Sequence, residues 1–253
     1  MTRKPLIAGN WKLNKTVPEA LALAGELKQE LADFSRADLL VCPAYVALYP
    51  VAELLRGSPI AVGGQDLFRE ETGAFTGAVS GSMLKSAGCS HVIVGHSERR
   101  EIFGDSDEEV NRKLRAALDV GLTPILCVGE TLDKREQKVT KEFLRKQLGA
   151  DIRGFERDLI SRILVAYEPI WAIGTGVTAT PAQAGETQRF IRDLFREHYD
   201  GEIADNLRIL YGGSVKPDNA RSLISEEHVD GFLIGGASLQ ADSFIRIARS
   251  SVL

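Results

Sequence analysis

Much is missing from this chain of 253 residues, and each absence narrows what it does. No apolar stretch approaches the roughly 20 residues that a membrane-spanning helix needs, so no membrane partner is expected. The N-terminus, MTRKPLIAGNWKLN, is basic but has too few apolar residues before Asn10 for a signal segment. There is no long basic run and the formal net charge is −4, which argues against nucleic acid and anionic lipid. A bound anion must therefore be held by local groups. Cysteine is scarce: Cys42, Cys89 and Cys127 form no CxxC pair, and an odd number of thiols in apolar runs predicts a reduced, cytoplasmic protein. The four histidines show no metal-ligand spacing, so no metal is expected. No strand opens a GxGxxG turn, which removes the usual sign of a dinucleotide cofactor. No linker or low-complexity segment divides the chain, so residues 1–253 read as one domain.

What is present is a rhythm. Short runs rich in Val, Ile and Leu occupy 5–9, 38–42, 59–63, 91–95, 122–128, 162–167, 207–211 and 230–235. They do not alternate with polar residues, the pattern of strands buried on both faces and hence parallel. Amphipathic segments lie between them. Capping boxes at Thr16–Glu19, Ser106–Glu109 and Thr180–Gln183 open three helices, the second running to about Asp119 and the third to about Tyr199. The first helix sets Leu21, Leu27 and Leu31 on one face. Eight such units in about 250 residues predict an α/β fold, a single-domain (β/α)8 barrel with eight parallel strands.

A barrel places chemistry at the C-terminal ends of its strands. Asn10 and Lys12 follow the first strand, His96, Ser97 and Glu98 the fourth, Glu130 the fifth and Glu168 the sixth. The seventh ends in Gly212-Gly213-Ser214 and the eighth in Gly235-Gly236. One glycine pair is a tight turn. Two pairs at these strands expose backbone N–H groups where barrels hold phosphate. Lys12 fits a cation for phosphate or a developing oxyanion, and equally an amine for a Schiff base. His96 opens a helical turn whose N-terminus disfavours the imidazolium, so a neutral ring is expected. Glu168 ends an apolar strand, where it reads as a structural ion pair or as a general base made more basic when a loop covers it. Gly174 and Gly176 allow a mobile tip, while Pro169 and Trp171 stiffen one shoulder, which is hinge-and-lid composition.

Taken in order, AGNWKLN, GAFTG, VGHSERR, AYEPIWAIGTG, YGGSV and GFLIGGASL resemble the triosephosphate isomerases over nearly the whole chain. The glutamate base, neutral histidine and closing loop of that enzyme are a worked example in general accounts of pKa tuning, so those roles are carried over here, not discovered. The resemblance implies a cofactor-free, reversible interconversion of dihydroxyacetone phosphate and D-glyceraldehyde 3-phosphate through an enediolate, in glycolysis and gluconeogenesis. It implies Glu168 as proton acceptor, His96 as electrophile, Lys12 as electrostatic stabiliser and Asn10 as a substrate hydrogen-bond partner. Gly174, Ser214, Gly235 and Gly236 would bind phosphate. Residues 169–179, namely Pro169, Ile170, Trp171, Ala172, Ile173, Gly174, Thr175, Gly176, Val177, Thr178 and Ala179, would form the lid. Glu98 matches a site position with an unsettled role, while Glu130 and Cys127 match supporting positions. A homodimer is implied, with the loop at 64–80 reaching the partner through Gln65, Phe75 and Thr76. That loop is also too long for an ordinary βα turn. The chain departs from the common pattern at Ala78, usually glutamate, and Leu13, where methionine is frequent. Two rivals remain: a barrel lyase using Lys12 as a Schiff base, and a phosphate-binding scaffold without catalysis.

Overall fold

The computed structural model describes residues 3–173 and 178–252. Eight parallel strands close in chain order into a barrel. They are β1 (Leu6–Asn10), β2 (Asp38–Cys42), β3 (Ile60–Gly64), β4 (His91–Val94), β5 (Thr123–Val128), β6 (Leu164–Tyr167), β7 (Ile209–Tyr211) and β8 (Gly231–Ile234). Each expected strand is present, within two residues at either end. Closure is direct: Leu6 to Gly9 of β1 pair with Gly231 to Ile234 of β8.

The continuous apolar runs have a simple cause. Successive strand residues point to opposite faces, and here both faces are buried. Leu6, Ala8, Leu40, Cys42, Ile93, Ile125, Cys127, Leu164, Ala166, Leu210 and Leu233 fill the barrel. Their neighbours Ile7, Leu39, Val41, Val92, Val94, Leu126, Val165 and Ile209 pack outward against the helices. The outer ring is built chiefly from α1 (Val17–Glu30), α2 (Tyr45–Leu55), α3 (Gly81–Ser86), α4 (Ser97–Glu101), α5 (Asp107–Asp119), α6 (Leu132–Glu136), α7 (Thr140–Asp151), α8 (Arg157–Ile160), α9 (Pro181–His198), α10 (Gly201–Asn206), α11 (Pro217–Ile224) and α12 (Ala241–Ser250).

The capping box of α9 forms in full, whereas at α1 the Thr16 N–H and Oγ1–H both donate to Glu19 Oε2 at 2.8 Å without the bond from Glu19 N–H; both helices carry proline in the first turn. The box expected for α5 forms only by half. Ser106 Oγ accepts from Glu109 N–H at 3.2 Å. The Glu109 carboxylate does not return to Ser106, because it pairs with Arg69 in the loop after β3. A charged partner across the chain outcompetes a local backbone donor. On α1, Leu23 is buried more deeply than Leu21, while Leu27 and Leu31 lie in the core as expected.

Candidate active site

The strand ends converge on a cavity of about 300 Å³. Asn10, Lys12, His96, Ser214, Gly235 and Gly236 line it, so six of the residues expected at a site do meet there. Ile173 of the expected lid closes one side, and Gly212 and Gly213 line the floor. Gly174, Thr175, Gly176 and Val177 lie outside the described residues.

Lys12 carries the clearest local strain. Its φ is +51°, a left-handed conformation that costs a side-chain-bearing residue roughly 1–2 kcal/mol. Three contacts hold it there. Its N–H donates to Asn10 Oδ1 at 3.0 Å. Its carbonyl accepts from Gln65 Nε2 at 2.9 Å, and the same amide donates to the Cys42 carbonyl. Its Nζ reaches Glu98 Oε1 at 2.7 Å. The ammonium is thus aimed over the cavity by a backbone bend that the chain would not adopt unaided. Gln65, expected in a partner-contacting loop, spends its amide on its own chain's site.

His96 caps α4. Its Nδ1 accepts from Glu98 N–H at 3.2 Å, which requires a free lone pair and puts the neutral ring's proton on Nε2. Nε2 lies 2.9 Å from Glu168 Oε1. Burial disfavours the imidazolium, but the Glu168 charge and contact outweigh it and lift the ring above its ordinary pKa. The sequence argument for a neutral ring weighed the helix and not this carboxylate. The two influences act on different nitrogens: Glu98 N–H fixes the tautomer, and Glu168 draws on the proton at Nε2.

Glu168 is almost fully buried just past β6. Oε2 accepts from Ser97 N–H at 2.8 Å. Oε1 is close to His96 but has no aligned hydrogen-bond donor. Burial favours the neutral acid, yet His96, Ser97 N–H and Lys12 together hold the carboxyl below its ordinary pKa. The sequence leaves Glu168 as a structural ion pair or as a base whose basicity rises when a loop covers it. In this arrangement it is less basic, because the nearby His96, the single bond from Ser97 N–H and Lys12 hold it down, and a sequence does not display those contacts. Releasing it from Ser97 and His96 removes the influences that lower it and leaves the burial that raises it.

The shoulder beyond Glu168 is braced. Glu130, with no exposure, accepts from Tyr167 Oη at 3.1 Å, from Trp171 Nε1 at 3.1 Å and from Arg135 Nη1 at 3.2 Å. Arg135 also stacks over the Trp171 ring at 4.8 Å. The Glu130 carbonyl accepts from Ile170 N–H, which fixes the 3-10 turn Ile170–Ala172. Gly129 is required here, since a Cβ would lie 1.7 Å from the Glu168 carbonyl oxygen. Among the described residues no group of three or more His, Cys, Asp or Glu is arranged to hold a metal ion.

The triosephosphate isomerase family profile matches residues 5–251. This chain belongs to the triosephosphate isomerase family. A triosephosphate isomerase of Pelobacter propionicus is 55% identical over 247 residues, 98% of each chain. One from Carboxydothermus hydrogenoformans is 50% identical over 250 residues, 99% of this chain and all of that one. The crystal structure of triosephosphate isomerase from Bartonella henselae, 39% identical, superposes with a TM-score of 0.89 over 98% of both chains. The family motifs account for most of the cavity but not all. Ser97 N–H, the inward tether from Gln65, Gly129 and the rim residue Lys216 were not singled out from sequence. Gly129 had a visible signal, as the glycine between a strand and Glu130. A backbone N–H such as that of Ser97 has none.

Proposed function

We propose that this chain interconverts dihydroxyacetone phosphate and D-glyceraldehyde 3-phosphate, with the residues around the cavity in the roles the family motifs assign. One observation carries the reading: a buried carboxylate and a neutral-tautomer imidazole 2.9 Å apart, beside a glycine-rich cradle and a strained lysine.

The phosphate binds at Ser214, Gly235 and Gly236, whose backbone and hydroxyl donors suit a dianion. Lys12 balances its charge and that of the developing oxyanion. The substrate carbonyl accepts from His96 Nε2–H and from Asn10. Glu168 turns off Ser97 N–H, takes a proton from one carbon and returns it to the next. Leaving Ser97 N–H and the close approach to His96 makes it a stronger base at the moment it is needed. The lid over residues 169–179 excludes water and holds the phosphate, which suppresses loss of phosphate from the enediolate. A Schiff base at Lys12 is the poorer reading, because its Nζ is engaged by Glu98 Oε1 at 2.7 Å.

The working form is a homodimer. Leu13, Val46, Tyr49, Phe75, Met83, Ile102 and Phe103 are all exposed, on the segments that follow four consecutive strands. Residues 70–78 stand clear of the barrel, with the Phe75 ring packed on Phe68 at 4.6 Å and Thr76 exposed beside it. Large apolar side chains exposed after four consecutive strands suit a partner of matching chemistry. No helix among the described residues is long and apolar enough to cross a membrane, and the reading places the enzyme in the cytoplasm.

The direct test is turnover of glyceraldehyde 3-phosphate by the purified protein, coupled to reduction of the dihydroxyacetone phosphate formed. Robust turnover without added metal or cofactor is expected. No turnover, or an amine adduct trapped by borohydride at Lys12, overturns the reading.

A further inference from the structure

We propose that Asp151 and Arg100 form a buried positioning pair that holds the turn carrying His96, so that the charge on Asp151 sets how well that turn is placed for proton transfer. The proposal rests on the isomerase reading above.

Arg100 folds back from α4 beneath the site. Its Nε donates to the Gly95 carbonyl at 2.8 Å, and its Nη2 to the Cys127 carbonyl at 3.1 Å. Those carbonyls end two adjacent strands. Gly95 immediately precedes His96 and has φ of +71°, so a small rotation there swings the imidazole. Cys127 pairs with Ala166, two residues before Glu168. One guanidinium thus spans the supports of both reacting side chains.

Its anions differ. Asp107 Oδ1 accepts from Nη1 at 2.7 Å and is partly exposed. Asp151 Oδ2 accepts from Nη2 at 2.7 Å and has no exposure at all. Asp151 Oδ1 has no hydrogen-bond partner. A fully buried carboxylate with one oxygen unserved is expensive to keep ionised. The charged groups that face it are Arg100 from the His96 turn and Asp107 and Glu108 from α5, and the Cys127 thiol of β5 lies close. Lys134 and Lys146 line the groove outside. Burial pushes the Asp151 carboxyl up to about 7 despite Arg100, and the two acids of α5 push the same way.

When Asp151 is ionised, it draws the guanidinium inward onto both carbonyls. When it is protonated, Asp107 at the rim is the remaining full counter-charge, and the grip on Gly95 slackens. The linkage has a definite sign. The folded-state pKa of about 7 lies above the ordinary 3.8, so between those values the folded chain holds a proton that the unfolded chain has lost. Stability from this group therefore falls as pH rises through that window, while the placement of His96 improves.

The test compares kcat and KM of the wild type and Asp151→Asn across about pH 6 to 8, where the raised acid would titrate. Asparagine keeps an oxygen for Arg100 and removes the charge. A shift of a fraction of an ångström in the His96 turn is worth roughly tenfold in rate. Wild-type kcat should rise by about that factor with pH, and Asp151→Asn should stay flat at the lower level. KM should match in both, because the phosphate cradle is carried by β7 and β8. A variant that keeps the wild-type profile overturns the proposal. If the variant does not fold, wild type carrying 13C-labelled aspartate carboxyls decides. One resonance should titrate near neutral pH, and none doing so refutes the pair. That resonance does not depend on turnover, so failure of the isomerase reading would be seen separately as an inactive wild type.

Discussion

The two halves of this barrel share a fold and differ in what they leave uncovered. Of the nine large hydrophobic side chains exposed among the described residues, eight follow β1 to β4, from Leu13 to Phe103, and only Leu132 follows β5 to β8. The first half also presents charged and polar side chains to the cavity: Asn10, Lys12 and His96. The second half presents four glycines, Gly212, Gly213, Gly235 and Gly236, together with Ser214 and Lys216. Binding an anion through backbone N–H groups needs no partner chain. Holding a strained lysine through a loop that is itself exposed benefits from one. On the proposed reading, the asymmetry would separate the half that binds the anion from the half that a partner chain completes.

The largest expected effect falls where the halves meet, at the Glu168–His96 contact. Glu168→Asp withdraws the carboxylate by about 1 Å, a misplacement worth roughly 10²-fold or more in kcat. KM should change little, because the cradle glycines are untouched. Steady-state kinetics in both directions would show it, and a variant with wild-type kcat would remove Glu168 from the role of base.

Next comes the exposed half. Val46→Asp and Ile102→Asp each place a charge on side chains that are 73% exposed in the isolated chain. At the centre of a dimer interface such a change is worth about 2–4 kcal/mol, or 30- to 1,000-fold in association. Sedimentation should show monomers at concentrations where the wild type is dimeric, with activity falling in parallel. A wild type that is active as a monomer would break the comparison outright. The loop at 64–80 is where sequence and structure inform each other most. Its length marked it as special, and residues 70–78 are indeed exposed. That Gln65 turns inward to hold the Lys12 carbonyl was illegible, because a contact across 53 positions leaves no local pattern.

The barrel itself was legible because burial on both strand faces removes polar residues, and that removal is visible in one dimension. So were the polar side chains that line the cavity, Asn10, Lys12 and His96, which stand at strand ends where polar residues have no packing reason to be. The electrostatics were not. The sequence predicts a neutral His96 and a Glu168 that gains basicity only under a closed loop, and in this structure their mutual contact raises the first and lowers the second. Asp151 and Glu109 were hidden for the same reason, since Arg100 and Arg69 choose their acids through space.

The cradle half should answer to its backbone alone. A Cβ at Gly213 would lie 2.3 Å from Tyr211 Oη, so Gly213→Ala must move either the tyrosine or the cradle. If the cradle moves, its donors lose their alignment, which at roughly 1.4 kcal/mol is a tenfold rise in KM. The association state should not change. Inhibition by inorganic phosphate should weaken by the same factor. Unchanged phosphate inhibition would mean that Tyr211 yields and that the backbone donors keep their places.

The smallest effect distinguishes the halves through their helix starts. Thr180 opens α9 in the second half with a reciprocal box: Gln183 N–H to Thr180 Oγ1 at 3.2 Å, and Thr180 N–H to Gln183 Oε1 at 3.0 Å. Ser106 opens α5 in the first half with one of the two bonds, because Arg69 from the long loop has taken Glu109. Alanine at a serine or threonine cap costs about 1 kcal/mol. Both substitutions remove one side-chain acceptor, so Ser106→Ala and Thr180→Ala should destabilise similarly. Removing the returning side chain should separate them. Gln183→Ala strips an N-cap hydrogen bond from α9 and should cost about 0.5–1.5 kcal/mol. Glu109→Ala leaves the α5 cap intact and frees Arg69, so its effect should appear in association and not in helix stability. Chemical denaturation of all four, read beside sedimentation, would show it. An association constant unmoved by Glu109→Ala would mean that the pull of Arg69 on α5 serves the barrel and not the partner.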